Sequence, residues 1–398
     1  MTKLENRFFD LIRKHIFTFT FVIITAFGIA LHFCGLSLQS GDFKYFLGPW
    51  WDIIKSSGIG ALSKQVGNYN IPYQIIIYIM TLFPWDSLIA YKSLSIVFDF
   101  VLAFGVMLLI AEITKSKAAA LIGYSVTICS VITVFNSSFW GQCDSIYVSF
   151  IIFAIYFIFK DKTTLSFVFL GISFAFKLQV VFILPVFVFY YVLNRKVSIL
   201  HFLIIPAVNF IMCLPAAFFG RSIIDILTVY TAQLEDIKMI QLNCPNIYAL
   251  MCDPNNVANY DLLKPYSILI TMLVLGSMLC LFIYKKVDIS GRKNFLMTAI
   301  WTAFSCIMFL CSMHERYGYL LDMLLLVYVI CYRKHIITAI LCYLVSFRGY
   351  CSYLFQYNVV ENKHAAILYV GIYIYITYVL INEVVLGNNS KLELKLKS

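Results

Sequence analysis

Charged side chains are scarce in this chain. Only 13% of its 398 residues are Asp, Glu, Lys or Arg, about half of the roughly 25% found in soluble proteins. Hydrophobic residues make up 62% and aromatic residues 17%, and the mean hydropathy is +0.87. A soluble domain cannot bury so much apolar surface, so the composition excludes an ordinary soluble globular protein.

Alternation of polar and apolar residues, the pattern of a membrane β-barrel, is also missing. The long runs are apolar on every face and approach the roughly 20 residues that cross a bilayer as a helix. We find no low-complexity tract and no obvious internal repeat. The sequence therefore predicts an all-α polytopic membrane protein with a single domain over residues 1–398.

About twelve membrane-spanning helices are predicted. Residues 164–193 are interpreted as two short helices, because Lys177-Leu178-Gln179 interrupts the run. The twelve segments are 15–37, 86–112, 117–135, 145–159, 164–177, 179–193, 199–219, 265–284, 295–312, 317–332, 335–355 and 365–386.

A nucleic-acid motif is absent, although the formal net charge is +10. The basic residues lie mostly in pairs between the apolar runs, as expected for residues that set membrane topology. The positive-inside rule places both termini in the cytoplasm, and nothing indicates a cleavable signal peptide. The predicted cytoplasmic segments contain Lys3, Arg7, Arg13, Lys14, Lys115, Lys117, Lys160, Lys162, Arg195, Lys196, Lys285, Lys286, Arg292, Lys293, Arg333, Lys334, Lys391, Lys395 and Lys397.

Clustered metal ligands are lacking as well. The twelve cysteines are mostly single residues in apolar runs, where Cys behaves as a small hydrophobe. Only Cys244 and Cys252 share a polar loop, so a disulfide between them is left open. No His/Cys group has metal-ligand spacing. A divalent cation shared by Asp42 and Asp144 is also left open.

Two segments on the predicted outer side are too long to be simple turns. The segment 38–85 contains Trp50 and Trp51 beside polar residues, which favours helices lying in the membrane interface. The segment 220–264 is a second large outer loop, and loops of this length are usually functional.

Unusual polar residues recur at the outer connections. Charges near membrane depth are costly and are therefore usually paired or functional. Their convergence on one face predicts a single outward-facing polar site. These residues are Asp42, Trp140, Gln142, Asp144, Lys177, Gln179, Asn246, Tyr248, His314, Glu315, Arg316 and Tyr317.

These residue types suit chemistry on a phosphate-linked substrate. Lys177, Arg316 and His314 supply positive charge and hydrogen-bond donors for a phosphate. Asp42 or Asp144 supplies a carboxylate that can take a proton from an attacking hydroxyl.

Structural interpretations of the same residues stay open. Asp42 and Asp144 are compatible with a role as helix caps. Lys177 is compatible with a lysine whose side chain extends to the membrane interface. The run 314–317 suits a solvated turn with a weak Glu–Arg pair. Asp99, inside the second predicted span, has no partner that the sequence identifies and is interpreted as structural.

The chain resembles the GT-C superfamily of membrane glycosyltransferases, and most closely bacterial relatives of the GPI-anchor second mannosyltransferase. The features that carry the resemblance keep the family order over roughly residues 30–330. They are Gly41-Asp42-Phe43, Tyr69-Asn70-Ile71-Pro72-Tyr73, the run 136–147 with Trp140-Gly141-Gln142-Cys143-Asp144, Phe176-Lys177-Leu178-Gln179 with Pro185, Pro245-Asn246-Ile247-Tyr248 and Met313-His314-Glu315-Arg316-Tyr317.

The resemblance implies a GT-C-like bundle that transfers a mannose-like hexose from a polyprenyl phosphate, with inversion, to a cell-surface glycan or glycolipid. It implies that Asp42 is the general base and that Lys177, Arg316 and His314 hold the donor phosphate. Cys143 departs from the family, which often has a larger apolar residue there. The remaining polar residues are expected to contact substrate: Trp140, Gln142, Asp144, Gln179, Asn246, Tyr248, Glu315 and Tyr317.

A transporter or flippase of lipid-linked sugars is the main alternative function. Such proteins usually contain paired repeats and polar breaks near the membrane midplane, whereas the distinctive polar residues here cluster at one predicted face. A glycan polymerase or ligase is a third possibility, against which the acid of the first outer segment and its interfacial helices weigh. The short loops and the resemblance to bacterial relatives favour a bacterial plasma membrane, with the lipid bilayer as a partner and an extracytoplasmic site. An endoplasmic reticulum location stays open.

Overall fold

A computed structural model describes residues 1–236, 238–251 and 259–387, with the side chains of 234–236 left out. Most of these residues are helical. The α-helices are Lys3–Lys14, Ile16–Phe33, Gly48–Ser57, Ile71–Thr81, Ser87–Thr114, Lys117–Cys129, Val131–Val134, Asp144–Phe159, Thr163–Phe176, Leu184–Asn194, Ile199–Phe202, Ile204–Cys213, Ile223–Asp236, Tyr248–Met251, Tyr260–Tyr284, Arg292–Phe309, Tyr319–Tyr332, Ile336–Phe355 and Asn362–Val379. Tighter or wider helical turns are Phe43–Leu47, Gly58–Ser63, Phe135–Trp140, Leu178–Phe182, Leu214–Phe219, Glu315–Gly318 and Leu380–Val385.

The all-α membrane fold is confirmed, whereas the count of twelve spans is not. Six described helical segments are long and apolar enough to cross a membrane, and seven if a pair bent by 42° is counted as one span. The six are Ile16–Phe33, Ser87–Thr114, Ile199–Phe219, Tyr260–Tyr284, Ile336–Phe355 and Asn362–Val385, and the bent pair is Lys117–Cys129 with Val131–Trp140.

Several of the other predicted spans are short helices. Asp144–Phe159 has 16 residues and Thr163–Phe176 has 14. At 1.5 Å per residue they extend only about 24 and 21 Å, less than the roughly 30 Å of a bilayer hydrocarbon core. Both are nevertheless central, because their side chains form much of the largest apolar core together with Ser87–Thr114 and Arg292–Phe309.

Ion pairs gather at one end of the bundle, which we call the basic end. Glu112 accepts from Lys115 at 2.8 Å and from Lys160 at 3.0 Å, and it also pairs with Arg292. These contacts bring three separate connections of the chain together. The connections that contain Asp42, Trp140 and Lys177 lie at the opposite end of the same helices, the Asp42 end.

The segment 38–85 contains the short helices expected from the sequence. Helices Gly48–Ser57 and Ile71–Thr81 build a separate apolar cluster that includes Trp51 and Tyr73. This cluster covers the Asp42 end of the bundle, since it also includes Ile146 from the start of helix Asp144–Phe159.

The segment 220–264 is attached to the His314 region by a two-stranded parallel sheet. Strand Gln241–Leu242 pairs with Met313–His314, with Leu242 opposite His314. Ser312 strengthens the junction, because its Oγ donates to the Met239 carbonyl at 2.8 Å. Cys252 lies outside the described residues, so the disulfide with Cys244 that the sequence left open is not tested.

Asp99 has a partner that the sequence did not identify. His32 Nε2 lies 3.1 Å from Asp99 Oδ2, and His32 Nδ1 donates to the Gly28 carbonyl at 2.7 Å. Both side chains are buried. The pair joins the first apolar helix, Ile16–Phe33, to the second, Ser87–Thr114, so the structural interpretation of Asp99 agrees with its position.

Candidate functional site

The Asp42 carboxylate accepts three hydrogen bonds from side chains. Its Oδ2 accepts from Trp140 Nε1 at 2.8 Å and from Gln142 Nε2 at 2.5 Å. Its Oδ1 accepts from the Tyr353 hydroxyl at 2.6 Å. All three donors are neutral, so they orient the ionised carboxylate without cancelling its charge.

A tight backbone turn places Trp140 and Gln142 on the same acid. The helical turn Phe135–Trp140 ends at Gly141, whose φ is +80°. Glycine adopts this left-handed conformation without the strain that a Cβ would cause. The Gly141 N–H donates to the Ser137 carbonyl at 2.8 Å and the Gln142 N–H to Asn136 at 2.9 Å. The reversal brings both side chains to Asp42.

Tyr353 is a site residue that the sequence analysis missed. It lies near the end of helix Ile336–Phe355, in the last part of the chain, where no motif was found. Its ring stacks on Trp140 with centroids 3.9 Å apart and planes 10° apart. Its hydroxyl also accepts from the Asp42 N–H at 3.0 Å. Tyr353 therefore fixes both the backbone and the carboxylate of Asp42.

Asp144 is the centre of a buried ion cluster. Its Oδ1 pairs with Lys177, and its Oδ2 lies 3.3 Å from Arg316 Nε. Asn136 Nδ2 also donates to Oδ2 at 2.8 Å. Asp144 does not cap its helix through its side chain. It holds the two cations instead.

Lys177 reaches Asp144 because the chain is interrupted there. Helix Thr163–Phe176 ends at Lys177, whose extended backbone (φ −153°, ψ 136°) separates it from the turn Leu178–Phe182. The side chain is 4% exposed and its Nζ lies 5.7 Å from the centroid of the Tyr147 ring. Lys177 is thus buried and paired, and does not extend to the interface.

The Asp42 cluster and the Asp144 cluster are in contact. The Arg316 guanidinium carbon lies 5.4 Å from the centroid of the Trp140 ring, within the range of a cation–π interaction. The Tyr69 hydroxyl donates to Gln142 Oε1 at 3.0 Å. Trp140 and Gln142 therefore connect Asp42 to the side of the site that contains the cations.

A cavity of about 380 Å³ opens beside the two cations. Lys177, Gln179, His314, Arg316 and Tyr317 all line it. These are five of the predicted site residues, and the structure brings them together. Asp42, Gln142 and Asp144 do not line this cavity, but the first two are connected to it through Tyr69 and Trp140, as described above. We call it the cation cavity.

The charge states of His314 and Glu315 differ from those expected from the sequence. Burial, together with nearby Arg316 and Lys177, lowers the pKa of His314 well below its usual value. His314 is therefore neutral, and it can offer a hydrogen bond but not the positive charge that was expected of it. Burial raises the pKa of Glu315 to about 7, a shift that Arg316 opposes. Glu315 is not ion-paired with Arg316, whose carboxylate contact is Asp144.

Asn246 and Tyr248 lie behind the cavity wall. Asn246 Nδ2 donates to the carbonyls of Ile307 and Leu310 at 3.2 Å each. The Tyr248 hydroxyl donates to the Phe309 carbonyl at 2.9 Å. Both residues thus hold the end of helix Arg292–Phe309 before the chain reaches His314. Their contact with a substrate stays a prediction.

Lys92 is a second residue that the sequence analysis missed. Its side chain is fully buried in helix Ser87–Thr114, and Nζ donates to the carbonyls of Gly35, Leu36 and Leu38 at 2.7, 3.2 and 2.5 Å. These carbonyls belong to the segment just before Asp42. A lysine within an apolar run was the signal that could have identified it.

The residues present do not favour a metal shared by Asp42 and Asp144. No group of three or more His, Cys, Asp or Glu in the described ranges is arranged to hold a metal ion. Asp144 already contacts Lys177 and Arg316. A divalent cation at Asp144 would have to displace one of these positive charges or be repelled by both.

No family model matches the sequence, and no curated protein matches it either. The interpretation of the site therefore depends on its geometry and on the sequence motifs.

Proposed function

We propose that this chain is an inverting membrane glycosyltransferase of the GT-C type, which transfers a mannose-like hexose from a polyprenyl phosphate to a glycan or glycolipid. The proposal includes a twelve-helix bundle and an extracytoplasmic site in a bacterial plasma membrane. The observation that carries it is a carboxylate oriented by three neutral donors next to a cavity with two anchored cations. These are the two groups that such a transfer requires.

Asp42 is suited to act as the general base. A carboxylate has about four positions for hydrogen-bond donors, and Trp140, Gln142 and Tyr353 occupy three of them. The remaining position can receive the acceptor hydroxyl. As the hydroxyl oxygen attacks the anomeric carbon, its proton passes to Asp42. Asp42 is partly exposed, so an acceptor can approach it.

Lys177 and Arg316 are suited to hold the donor phosphate. With Asp144 between them, the three groups have a combined charge of +1, which matches the single negative charge of a phosphodiester. When the bond between the anomeric carbon and the phosphate oxygen breaks, its electron pair stays on that oxygen and the phosphate gains a second negative charge. The fixed cations stabilise this charge most in the transition state.

The cation cavity is also suited to a lipid-linked donor. Phe182, Ile268 and Leu310 line it beside the polar residues. Ile268 belongs to helix Tyr260–Tyr284, whose outer residues such as Met272 are 64% exposed in the isolated chain. This helix is apolar enough to lie in a membrane. A polyprenyl tail leaving the cavity along it would remain in apolar surroundings.

The experiment that tests the proposal supplies purified protein with radiolabelled polyprenyl-phosphate hexoses and candidate acceptors. Asp42→Asn should lower transfer at least a hundredfold and leave donor binding unchanged, because it removes the base but keeps the shape. Asp52→Asn is the matched control, since Asp52 is an exposed acid on the neighbouring helix Gly48–Ser57. Unchanged transfer by Asp42→Asn would contradict the base assignment.

Arg316→Ala tests the phosphate assignment in the same assay. It should weaken use of the donor more than it changes preference among acceptors. A change in acceptor preference alone would contradict this assignment. Movement of the labelled lipid across vesicles without any transfer would favour the alternative, a flippase.

A further inference from the structure

A second cavity of about 360 Å³ lies beside the cation cavity. One wall is the loop that contains Lys64 and Gln65, and the other is helix Ile223–Asp236 with Thr228. Arg221 lines it at the base of the helix. The sequence motifs did not include any of these four residues, and the proposed transfer does not yet use them. We call this space the Arg221 cavity.

Arg221 is a buried cation without a carboxylate partner among the described residues. Its side chain is 4% exposed, yet no described acid lies within ion-pair distance of it. It donates to the Lys64 carbonyl and to Gln74 Oε1 at 3.4 Å each, which are long hydrogen bonds, and to Gln65 Oε1. Buried arginines are usually paired with a negative charge.

The charge of the Arg221 cavity favours an anion. Lys64 and Arg221 contribute two positive charges, and exposed Asp225 contributes one negative charge. Arg221 Nε has no hydrogen-bond partner among the described residues. A phosphate or carboxylate at Arg221 would supply the missing counter-charge and accept from a guanidinium that now has only amide and carbonyl partners.

The two cavities share a polar wall. Asn68 and Gln233 line both of them. Gln233 Oε1 is buried and has no hydrogen-bond partner within the described residues. Tyr69, next to Asn68, donates to Gln142, which in turn donates to Asp42. A sugar hydroxyl that reached across this wall would enter the cation cavity, on the side where Tyr69 connects through Gln142 to Asp42.

We infer that the Arg221 cavity binds the acceptor, and that this acceptor is a carbohydrate that carries a phosphate or another anionic group. The identification of the bound carbohydrate as the acceptor rests on the proposed function. The binding of an anionic carbohydrate can be tested without it. Arg221 and Lys64 contact the anion, and the attacking hydroxyl of the bound sugar extends past Asn68 and Gln233, which line both cavities, to the donor and Asp42.

The test measures binding of mannose 6-phosphate and of mannose by calorimetry, with the full chain in phosphatidylcholine nanodiscs and no donor present. We expect mannose 6-phosphate to bind at least tenfold more tightly than mannose. Arg221→Gln and Lys64→Gln should each reduce this preference, Arg221→Gln by about tenfold to a hundredfold because a buried charged hydrogen bond is lost.

A second pair of variants tests the inference even if Arg221→Gln does not fold. Thr228→Trp places a large ring in the cavity from an exposed position and should abolish binding. Leu227→Trp is its matched control, because Leu227 is 65% exposed on the same helix but does not line the cavity. Equal binding of mannose and mannose 6-phosphate, or unaltered binding by Thr228→Trp, would overturn the inference.

The same variants separate this inference from the proposed function. Radiolabelled donor is supplied in parallel, and its hydrolysis or transfer is measured. If Thr228→Trp binds donor and transfers normally, the inference fails while the proposed function stands. If mannose 6-phosphate binds as expected but no donor is ever consumed by the unmodified chain, the proposed function fails while the cavity remains an anionic carbohydrate site. Loss of mannose 6-phosphate binding in nanodiscs with added phosphatidylglycerol would assign the anion position to a lipid headgroup and overturn the inference, whereas unchanged binding supports it.

Discussion

At the scale of single residues, Asp42 is defined by its donors. Acids are common at the edges of membrane spans. This carboxylate differs because it is held by an indole, an amide and a phenol that come from two distant parts of the chain. Each donor helps to fix the direction of the carboxylate. The indole N–H of Trp140 can be removed by a conservative substitution.

Trp140→Phe should lower transfer about tenfold to a hundredfold, because it deletes one hydrogen bond to the base and keeps an aromatic ring against Tyr353. Trp301→Phe is the matched control. Trp301 is equally buried, and its Nε1 donates to Thr377 Oγ1 at 2.9 Å, with no contact to Asp42. Steady-state rates and melting temperatures of both variants provide the comparison. An equal loss of rate in both would show that Trp140 acts only through stability.

Glu315 makes the stability of the protein depend on pH. The pKa of Glu315 is raised by burial to about 7, from an ordinary value of 4.5. Between these values the folded chain keeps a proton that the unfolded chain has released. The contribution of Glu315 to stability is therefore complete below pH 4.5 and lost as pH rises to 7. The loss is on the order of 3 kcal/mol.

Glu315→Gln should remove this dependence, since an amide does not titrate. Melting in detergent at pH 5 and pH 7.5 should show a smaller difference for the variant than for the unmodified chain. Glu361→Gln, at a 78% exposed acid, is the control. If the unmodified chain becomes more stable as pH rises and Glu315→Gln does not change that slope, the raised pKa is wrong.

The sequence could predict which stretches share a face, but not all of their contacts. Trp140, Gln142, Lys177 and Arg316 were expected near Asp42 or Asp144, and the structure places them there. Tyr353 could not be predicted, because it is one of 27 tyrosines in an apolar helix without a motif. The neutral state of His314 depends on burial and on two neighbouring cations, which sequence order does not reveal.

At the scale of elements, a single lysine holds the segment that precedes Asp42. Residues 34–41 connect helix Ile16–Phe33 to the turn that contains the base. Lys92 binds three carbonyls of this segment, which lies outside the regular helices. The position of Asp42 therefore depends on helix Ser87–Thr114 as well as on its own donors.

Lys92→Met keeps the apolar length of the side chain and removes these three hydrogen bonds. We expect about a tenfold lower turnover with little change in KM, together with a lower melting temperature, because the base loses its support but the cation cavity is untouched. Lys55→Met, at an exposed lysine of helix Gly48–Ser57, is the control. A raised KM at unchanged turnover would show that Lys92 serves substrate binding instead.

The apolar runs of the sequence predicted where the helices lie, but they did not predict which helices are long enough to span the membrane. Each predicted span contains helix, because a long apolar run in lipid must satisfy its backbone internally. The short helices Asp144–Phe159 and Thr163–Phe176 were counted as full spans, since sequence alone does not show where an interruption such as Lys177 lies along the membrane normal. Packing among neighbouring helices determines that.

At the scale of the whole molecule, charge separates the two ends of the bundle. The basic end gathers Lys115, Lys160 and Arg292 around Glu112. The Asp42 end contains both cavities, the short helices of segment 38–85 and the two-stranded sheet. The positive-inside rule therefore predicts that the basic end is cytoplasmic.

Cysteine labelling tests this orientation. Lys55→Cys, in segment 38–85, should react in intact cells with a maleimide that cannot cross membranes. Lys196→Cys, at an exposed position of the basic end, should react only after the cells are opened. The unmodified chain gives the background, because Cys34 and Cys280 are exposed. Labelling of Lys196→Cys in intact cells would contradict the orientation.

The hydrogen bond between Tyr353 and Asp42 also determines when the site can form during biosynthesis. The two residues are 311 positions apart. At a synthesis rate of roughly 5 to 20 residues per second, the ribosome adds Tyr353 about 15 to 60 s after Asp42. Late in this interval the nascent chain already contains Trp140, Lys177 and Arg316, but Asp42 still lacks one of its three side-chain donors. Helix Ile336–Phe355 must be inserted before the site is complete, so the growing protein should stay inactive until one of its last helices arrives.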